Sequence, residues 1–259
     1  MAEGLRIEVH GNVGVVIMDR PPHNFLNFRQ IHDIADALEK MQNDMSIRCA
    51  VLAADGRSFC AGADFAGDGV GGGDEEVVGG DATLALYQGS GRLFDITLPI
   101  VGAIQGPAVG GGLGLAMVPD IRITCPEARF SANFASLGIH QGFGMSVTLP
   151  QLLGPSRAAQ VLYSAKRYKG EEAVAIGLAD ECVPSDQVRE RALEAEGAEL
   201  RRQVLLFKGR ARSAEDSAKF KETLLAEKRA NFKKKGLALR DYDEPRPELV
   251  APPAEEAVD

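Results

Sequence analysis

The chain has 259 residues, of which 45% are hydrophobic and 25% are charged, the usual balance of a globular protein. Its net charge of -8 argues against a general nucleic-acid-binding protein, because neutralising phosphates requires a basic surface. The four cysteines are widely spaced and form neither a Cys-x-x-Cys pattern nor a Cys/His metal-binding pattern, so we expect reduced thiols and no metal site.

Residues 1–6 and the lengths of the apolar runs indicate whether secretion or membrane insertion is expected. Residues 1–6 lack the apolar core of a secretion signal. No apolar run approaches the roughly 18 residues of a membrane-spanning helix. We therefore expect a cytoplasmic protein that associates with neither membranes nor nucleic acid.

Strand and helix signals alternate through the first part of the chain. The β-branched run Val13–Met18 predicts a strand, and residues 6–10 are expected to pair with it through a Gly-Asn turn. Apolar residues at helical spacing predict a helix from Phe28 to Met45, and the run Cys49–Ala53 predicts the next buried strand. Such alternation, continued to about residue 185, predicts an α/β fold with parallel strands.

Two glycine-rich segments, each following a predicted strand, are the most informative feature of the chain. They are Phe59-Cys60-Ala61-Gly62-Ala63-Asp64 and Gly106-Pro107-Ala108-Val109-Gly110-Gly111-Gly112. Backbone N–H groups from two such loops can stabilise negative charge on an oxygen atom, an arrangement called an oxyanion hole. We expect Ala63 and Gly111 to donate these N–H groups. Neither segment has the sequence of a P-loop or of a GxGxxG dinucleotide site.

The pattern changes after Pro184, where only helical signals remain. We therefore divide the chain into a core of residues 1–185, a helical region of residues 186–240 and a tail of residues 241–259. The tail is acidic and rich in proline, and its composition is typical of a disordered segment.

Further short motifs accompany the two glycine-rich segments between residues 5 and 185. In chain order they include Arg20-Pro21-Pro22-x-Asn24, Gly56-Arg57-Ser58, Pro99-x-Val101-x-Ala103-Ile104-x-Gly106, Asp120, Leu137-Gly138, Leu149-Pro150, Gly170-Glu171-Glu172-Ala173 and Gly177-Leu178-Ala179-Asp180. This ordered series resembles the crotonase superfamily, the enoyl-CoA hydratase/isomerase family.

The resemblance implies a fold, a ligand and an assembly. The fold is a ββα superhelix with a helical C-terminal region that mediates oligomerisation into trimers or hexamers and covers the active site. The ligand is an acyl-CoA thioester, with coenzyme A as part of the substrate and no separate cofactor. The resemblance also assigns the oxyanion donors to Ala63 and Gly111, and it implies that the following residues bind coenzyme A: Asn24, Phe25, Leu26, Arg57, Ala61, Asp64 and Phe65.

The chain departs from the resemblance at the acidic positions. Hydratases of the family carry one glutamate where this chain has Gly114 and another in a Pro-Glu pair that aligns with Asn133-Phe134. The acid of the family's isomerases aligns with Gln141-Gly142. Hydration needs one group to activate water and another to protonate carbon, and neither glycine nor phenylalanine can do this. The standard two-glutamate mechanism is therefore not expected.

His140 is the main candidate for a remaining acid or base. Its loop resembles that of naphthoate synthase, whose aspartate aligns at about this position. Histidine titrates near neutral pH, so His140 either acts as a base on the substrate or is an ordinary hydrogen-bonded loop residue. Asn133, Gln141 and Ser146 could orient a water molecule but cannot abstract a proton. Phe134, Phe143 and Met145 suggest an apolar pocket for the acyl chain.

Three functions remain open at this point. The first is an enzyme that acts on an acyl-CoA by hydration, isomerisation, C–C cleavage or thioester hydrolysis. The second is an acyl-CoA-binding protein of crotonase fold without catalysis. The third is a hydrolase or C–C lyase that acts on a diketone without coenzyme A.

Overall fold

The computed structural model describes residues 4–63 and 80–194, apart from the side chains of residues 80–85 and 87. The predicted coenzyme A contacts Asp64 and Phe65 lie outside the described residues. So do the tail and the part of the predicted helical region that follows residue 194.

Within the described ranges, nine strands form two sheets. They are β1 (Leu5–His10), β2 (Val13–Met18), β3 (Cys49–Ala54), β4 (Ile100–Ile104), β5 (Ala108–Val109), β6 (Ile121–Thr124), β7 (Arg129–Ser131), β8 (Tyr168–Lys169) and β9 (Glu181–Cys182). The larger sheet has the order β1-β2-β3-β4-β6-β9, and the smaller has the order β5-β7-β8. In the larger sheet β1 runs antiparallel to β2, and the remaining neighbours are parallel.

Seven α-helices connect these strands in the part of the chain that the structure describes. They are α1 (Phe28–Asn43), α2 (Gly80–Phe94), α3 (Gly111–Ala116), α4 (Met145–Leu153), α5 (Pro155–Ser164), α6 (Gly170–Ile176) and α7 (Val188–Glu194). A short 3-10 helix, Ala135–Leu137, precedes α4.

Helix α1 ends two residues before its predicted end. It begins after Asn27, whose side chain accepts a hydrogen bond from the Gln30 N–H group. At its other end, Asp44 adopts an extended conformation, and its carboxylate accepts hydrogen bonds from the backbone N–H and hydroxyl groups of Ser46. Short polar side chains of this kind compete with the helical hydrogen bonds and favour a turn.

The order of the elements produces a superhelix. Strand β4 of the large sheet is followed by β5 of the small sheet and then by α3, and β6 is followed by β7 and later by α4. Each of these two turns thus contributes one strand to each sheet and then a helix. The predicted α/β class and the ββα superhelix are confirmed.

The central parallel strands bring loops to one edge of the large sheet. Strands β2 and β3 are buried at every position, as the uninterrupted apolar runs predict for a sheet covered on both faces. Because β2, β3 and β4 are mutually parallel, the loops after their carboxyl ends emerge at the same edge, where ligands of α/β proteins commonly bind.

Candidate functional site

The two glycine-rich segments meet at Gly62 and Gly111. A β-carbon built on Gly62 would lie 3.4 Å from the Gly111 nitrogen, and one built on Gly111 would lie 4.0 Å from the Gly62 Cα. Cys60 joins the segments, since its N–H group donates to the Pro107 carbonyl and its own carbonyl accepts from the Val109 N–H group, both at 3.0 Å. The segments that the sequence places about 50 residues apart are therefore adjacent in space.

Ala63 and Gly111 each present a backbone N–H group that has no acceptor within the described residues. Gly111 is the first residue of α3, and the N–H groups of the first helical turn lack partners inside their own helix. Ala63 forms a parallel bridge with Leu26, in which the Leu26 N–H group donates to the Gly62 carbonyl at 2.8 Å. That pairing leaves the Ala63 N–H group unused. Among the described residues, neither N–H group therefore has a hydrogen-bond acceptor.

Backbone conformation explains why residue 62 is glycine. Its φ of 89° lies in the left-handed region that other residues rarely adopt. A β-carbon there would also lie 2.6 Å from the Val109 carbonyl oxygen. Any larger residue would therefore push the two segments apart, and with them the two N–H groups.

The predicted coenzyme A contacts occupy different environments. Leu26 is buried, and its Cδ1 would lie 3.6 Å from a β-carbon on Gly111, so it packs against the predicted donor. Phe25 is half-buried and packs edge-to-face with His23 at 5.6 Å. Ala61 is half-buried and donates its N–H group to the His23 carbonyl at 3.0 Å.

Asn24 acts as a structural link between two loops. It is fully buried with a φ of 50°, and its side-chain oxygen accepts a hydrogen bond from the Arg20 N–H group at 2.8 Å. Its side-chain nitrogen donates to the carbonyls of Asp55 and Ser58 at 2.6 and 2.9 Å. The Asn24 amide is therefore used in positioning the loops rather than exposed to a ligand. Arg57, by contrast, is exposed.

His140 is exposed, and its ring has a defined partner. The Nδ1 atom lies 2.8 Å from the carbonyl oxygen of Gln141. A carbonyl only accepts hydrogen bonds, so Nδ1 carries the proton, and in the neutral ring Nε2 holds the free lone pair. This tautomer is the one that a general base acting through Nε2 requires.

The space beside Gly114 is filled by Phe143. A β-carbon on Gly114 would overlap the Phe143 β-carbon and lie 2.6 Å from its Cγ. Phe143 and Met145 are buried in the core, so of the three apolar residues suggested for the acyl pocket only Phe134 stays partly exposed. The sequence offers no signal for the contact between residues 114 and 143, because it forms only when two distant segments pack.

Asn133 and Phe134 lie close to the second glycine-rich segment. A β-carbon on Gly110 would lie 2.9 Å from the Asn133 Oδ1 and 3.8 Å from the Phe134 Cζ. Gly110 directly precedes the predicted donor Gly111. The pair that aligns with the missing glutamate therefore does face the predicted site, although neither side chain is acidic.

The described residues offer neither a metal-binding cluster nor a membrane-spanning helix. They contain no group of three or more His, Cys, Asp or Glu side chains arranged to hold a metal ion. Among these residues, no helix combines the length and apolar character that crossing a membrane requires.

Comparison with known proteins identifies the relatives of this chain. The sequence model of the enoyl-CoA hydratase/isomerase family matches residues 8–234. The chain belongs to this family. The resemblance seen in the short motifs is therefore confirmed over a longer part of the chain.

Individual members of the enoyl-CoA hydratase/isomerase family agree with this assignment. Carnitinyl-CoA dehydratase of Proteus mirabilis is 31% identical over 195 residues, which cover 75% of this chain and 73% of that protein. Crotonyl-CoA hydratase of Syntrophomonas wolfei is 33% identical over 191 residues, which cover 72% of this chain and 71% of that protein. The crystal structure of enoyl-CoA hydratase from Bacillus anthracis has the same fold, with a TM-score of 0.72 at 22% identity. The match covers 93% of this chain and 100% of that one.

Proposed function

We propose that this protein is an enzyme that acts on an acyl-CoA thioester, whose carbonyl oxygen accepts hydrogen bonds from the Ala63 and Gly111 N–H groups. The observation that supports it is the adjacency of Gly62 and Gly111, together with the lack of an acceptor for either N–H group among the described residues. Membership of the enoyl-CoA hydratase/isomerase family supports the choice of thioester.

Two fixed backbone donors favour reactions that place negative charge on the thioester oxygen. Loss of a proton from the α-carbon produces an enolate, and attack on the carbonyl produces a tetrahedral oxyanion. Both carry more charge on oxygen than the bound substrate does, so the donors stabilise the transition state preferentially. One such donor typically accounts for about a 100- to 1,000-fold rate increase.

His140 is our proposed base. Its Nδ1–H group is held by the Gln141 carbonyl, which leaves Nε2 able to accept a proton from the α-carbon or from water. Since position 114 is glycine and position 134 is phenylalanine, we do not propose the two-carboxylate hydration mechanism. Isomerisation, C–C cleavage and thioester hydrolysis require only one base together with the oxyanion donors.

Turnover of a panel of enoyl-CoA and β-ketoacyl-CoA thioesters tests the proposal. We expect His140→Ala and His140→Gln to lower kcat by about 100-fold or more on the accepted substrate, with KM changed much less. His10→Ala is the matched control, because His10 is an exposed histidine on β1 that contacts Glu8. Unchanged turnover in both His140 variants would remove this residue from the mechanism.

A second candidate function is acyl-CoA binding without catalysis. The packing of Phe143 against Gly114 favours it, because this contact closes one position from which family members supply an acid. Calorimetry that detects acyl-CoA binding, together with no turnover on the same panel, would select this alternative.

The family resemblance also leads us to propose a cytoplasmic homotrimer, or a homohexamer built as a dimer of trimers, that needs no cofactor besides the coenzyme A of its substrate. Light scattering in solution tests the assembly. A mass of three or six times the 27.6 kDa subunit is expected, and a monomer would contradict it.

A further inference from the structure

Position 114 lies one helical turn beyond the predicted donor Gly111. Residues three apart in an α-helix share a face, so a side chain at position 114 would stand beside that donor. An acid or base at this position would therefore lie next to the carbons of a thioester held by Ala63 and Gly111.

Phe143 fills the space that such a side chain would need. A β-carbon on Gly114 would lie 2.6 Å from Cγ and 2.8 Å from Cδ1 of Phe143. The ring is only 2% exposed and packs edge-to-face with Phe94 of α2, with ring centroids 6.3 Å apart. Tight packing on both sides leaves the ring no room to move away without disturbing the core.

The backbone holds Phe143 in this position. Its φ of 56° is left-handed, which is uncommon for a bulky residue, and the following Gly144 has a φ of 70°. Two successive left-handed residues turn the chain sharply just before α4 begins at Met145. This turn directs the Phe143 side chain onto Gly114.

We propose that Phe143 is a specificity-determining residue that keeps this face of α3 free of any acid or base. The inference rests on the proposed function, because it concerns the carbons of the bound thioester. With Phe143 in this position, only glycine fits at position 114. Proton transfer to or from the substrate must then use a group elsewhere, and α3 cannot activate water for addition.

Placing a carboxylate at position 114 requires substitutions at both residue 114 and residue 143. Gly114→Glu alone would overlap Phe143, and Phe143→Ala would keep the β-carbon that a residue at 114 meets. Phe143→Gly removes this atom and also suits the left-handed φ. In Gly114→Glu/Phe143→Gly the carboxylate takes a proton from the α-carbon, and the electron pair moves onto the thioester oxygen. The resulting carboxylic acid exchanges its proton with D2O and donates a deuteron to the α-carbon, which regenerates the carboxylate and the thioester carbonyl.

Exchange of the α-protons of butyryl-CoA in D2O, followed by NMR, measures this step. The double variant should exchange at least about tenfold faster than the wild type, whereas the two single variants should show no gain. Gly91→Glu is the matched control, since it adds the same carboxylate at a helical glycine with open space around it. The proposal is overturned if one single variant matches the double variant. It is also overturned if the double variant binds butyryl-CoA as the wild type does yet shows no gain.

A second measurement separates this inference from the proposed function. Gly114→Ala should lower the melting temperature of the wild type by several degrees but leave that of Phe143→Gly nearly unchanged. Equal losses in the two backgrounds would overturn the pairing of residues 114 and 143 without any reference to a ligand. Failure of the wild type to bind butyryl-CoA or any acyl-CoA of the panel in calorimetry would instead overturn the proposed function.

Discussion

Gly112 lies directly against the backbone of Cys60. A β-carbon on Gly112 would overlap the Cys60 carbonyl oxygen and lie 2.6 Å from the carbonyl carbon. The same carbonyl accepts the hydrogen bond from Val109 that joins the two glycine-rich segments. Gly112, like Gly62, thus allows the close approach of these segments, whereas the proposed donor Gly111 has room for a β-carbon.

Alanine substitutions at the neighbouring glycines 111 and 112 should therefore differ sharply in their effect on the free energy of unfolding. Gly112→Ala should reduce the free energy of unfolding by about 3 kcal/mol, because the added carbon meets backbone that cannot rotate away. Gly111→Ala should change it by less than about 1 kcal/mol, since its nearest neighbours would be 3.6 and 4.0 Å away. Urea denaturation compares the two variants, and similar losses for both would contradict this packing.

Replacement of Asn24 should loosen the loops that carry the site. Asn24→Ala leaves two carbonyls and one N–H group without their buried partner, and it places alanine at a φ of 50°. We expect the free energy of unfolding to fall by about 2 to 3 kcal/mol. Asn43→Ala, at an exposed position at the end of α1, is the control and should be nearly neutral. Equal stabilities of the two variants in urea would show that the Asn24 amide does not link the loops.

The carboxyl group of Asp55 should make stability depend on pH in the acid range. Partial burial acts to raise its pKa, but hydrogen bonds from Arg189 and Arg6, at 2.6 and 2.9 Å, outweigh this and lower the pKa below its ordinary value. A lowered pKa in the folded state stabilises the fold above the unfolded value, about 3.9, and this contribution disappears as the pH falls through the folded value.

Asp55→Asn should accordingly be less stable than the wild type at pH 7, by about 1 kcal/mol, and the difference should shrink below about pH 4. Urea unfolding at a series of pH values measures this difference. Asp186→Asn provides a control, because Asp186 is exposed and forms no ion pair within the described residues. A difference between Asp55→Asn and the wild type that stays constant down to pH 3 would show that the arginines do not stabilise the ionised form.

The four cysteines should differ in their reactivity towards iodoacetamide. Cys60 is fully buried, and burial raises the pKa of its thiol to about 12, so almost no reactive thiolate forms at pH 8. Cys49 and Cys125 are buried as well, whereas Cys182 is partly exposed. Mass spectrometry should find native labelling confined to Cys182, labelling of all four after unfolding, and none in native Cys182→Ser. Early native labelling of Cys60 would mean that the junction of the two glycine-rich segments opens.

Several features of the fold could be predicted because short-range patterns encode them. The β-branched run of β2 and the helical spacing of α1 identify those elements within a residue or two of their observed bounds. The need for glycine at position 62 and the N–H group without a partner inside its own helix at the start of α3 follow from local backbone conformation. Identifying these elements needs no knowledge of distant parts of the chain.

The contacts that define the site depended on tertiary structure. Nothing near Gly114 in the sequence indicates that Phe143 covers it, and nothing near Asn24 shows that its amide binds the backbone of residues 55 and 58. Such contacts join residues about 30 apart in the chain, and their identity depends on how sheet, helices and loops fill the same space. Local sequence therefore determined which glycine-rich segments carry the proposed backbone donors, while close packing decided which side chains surround them.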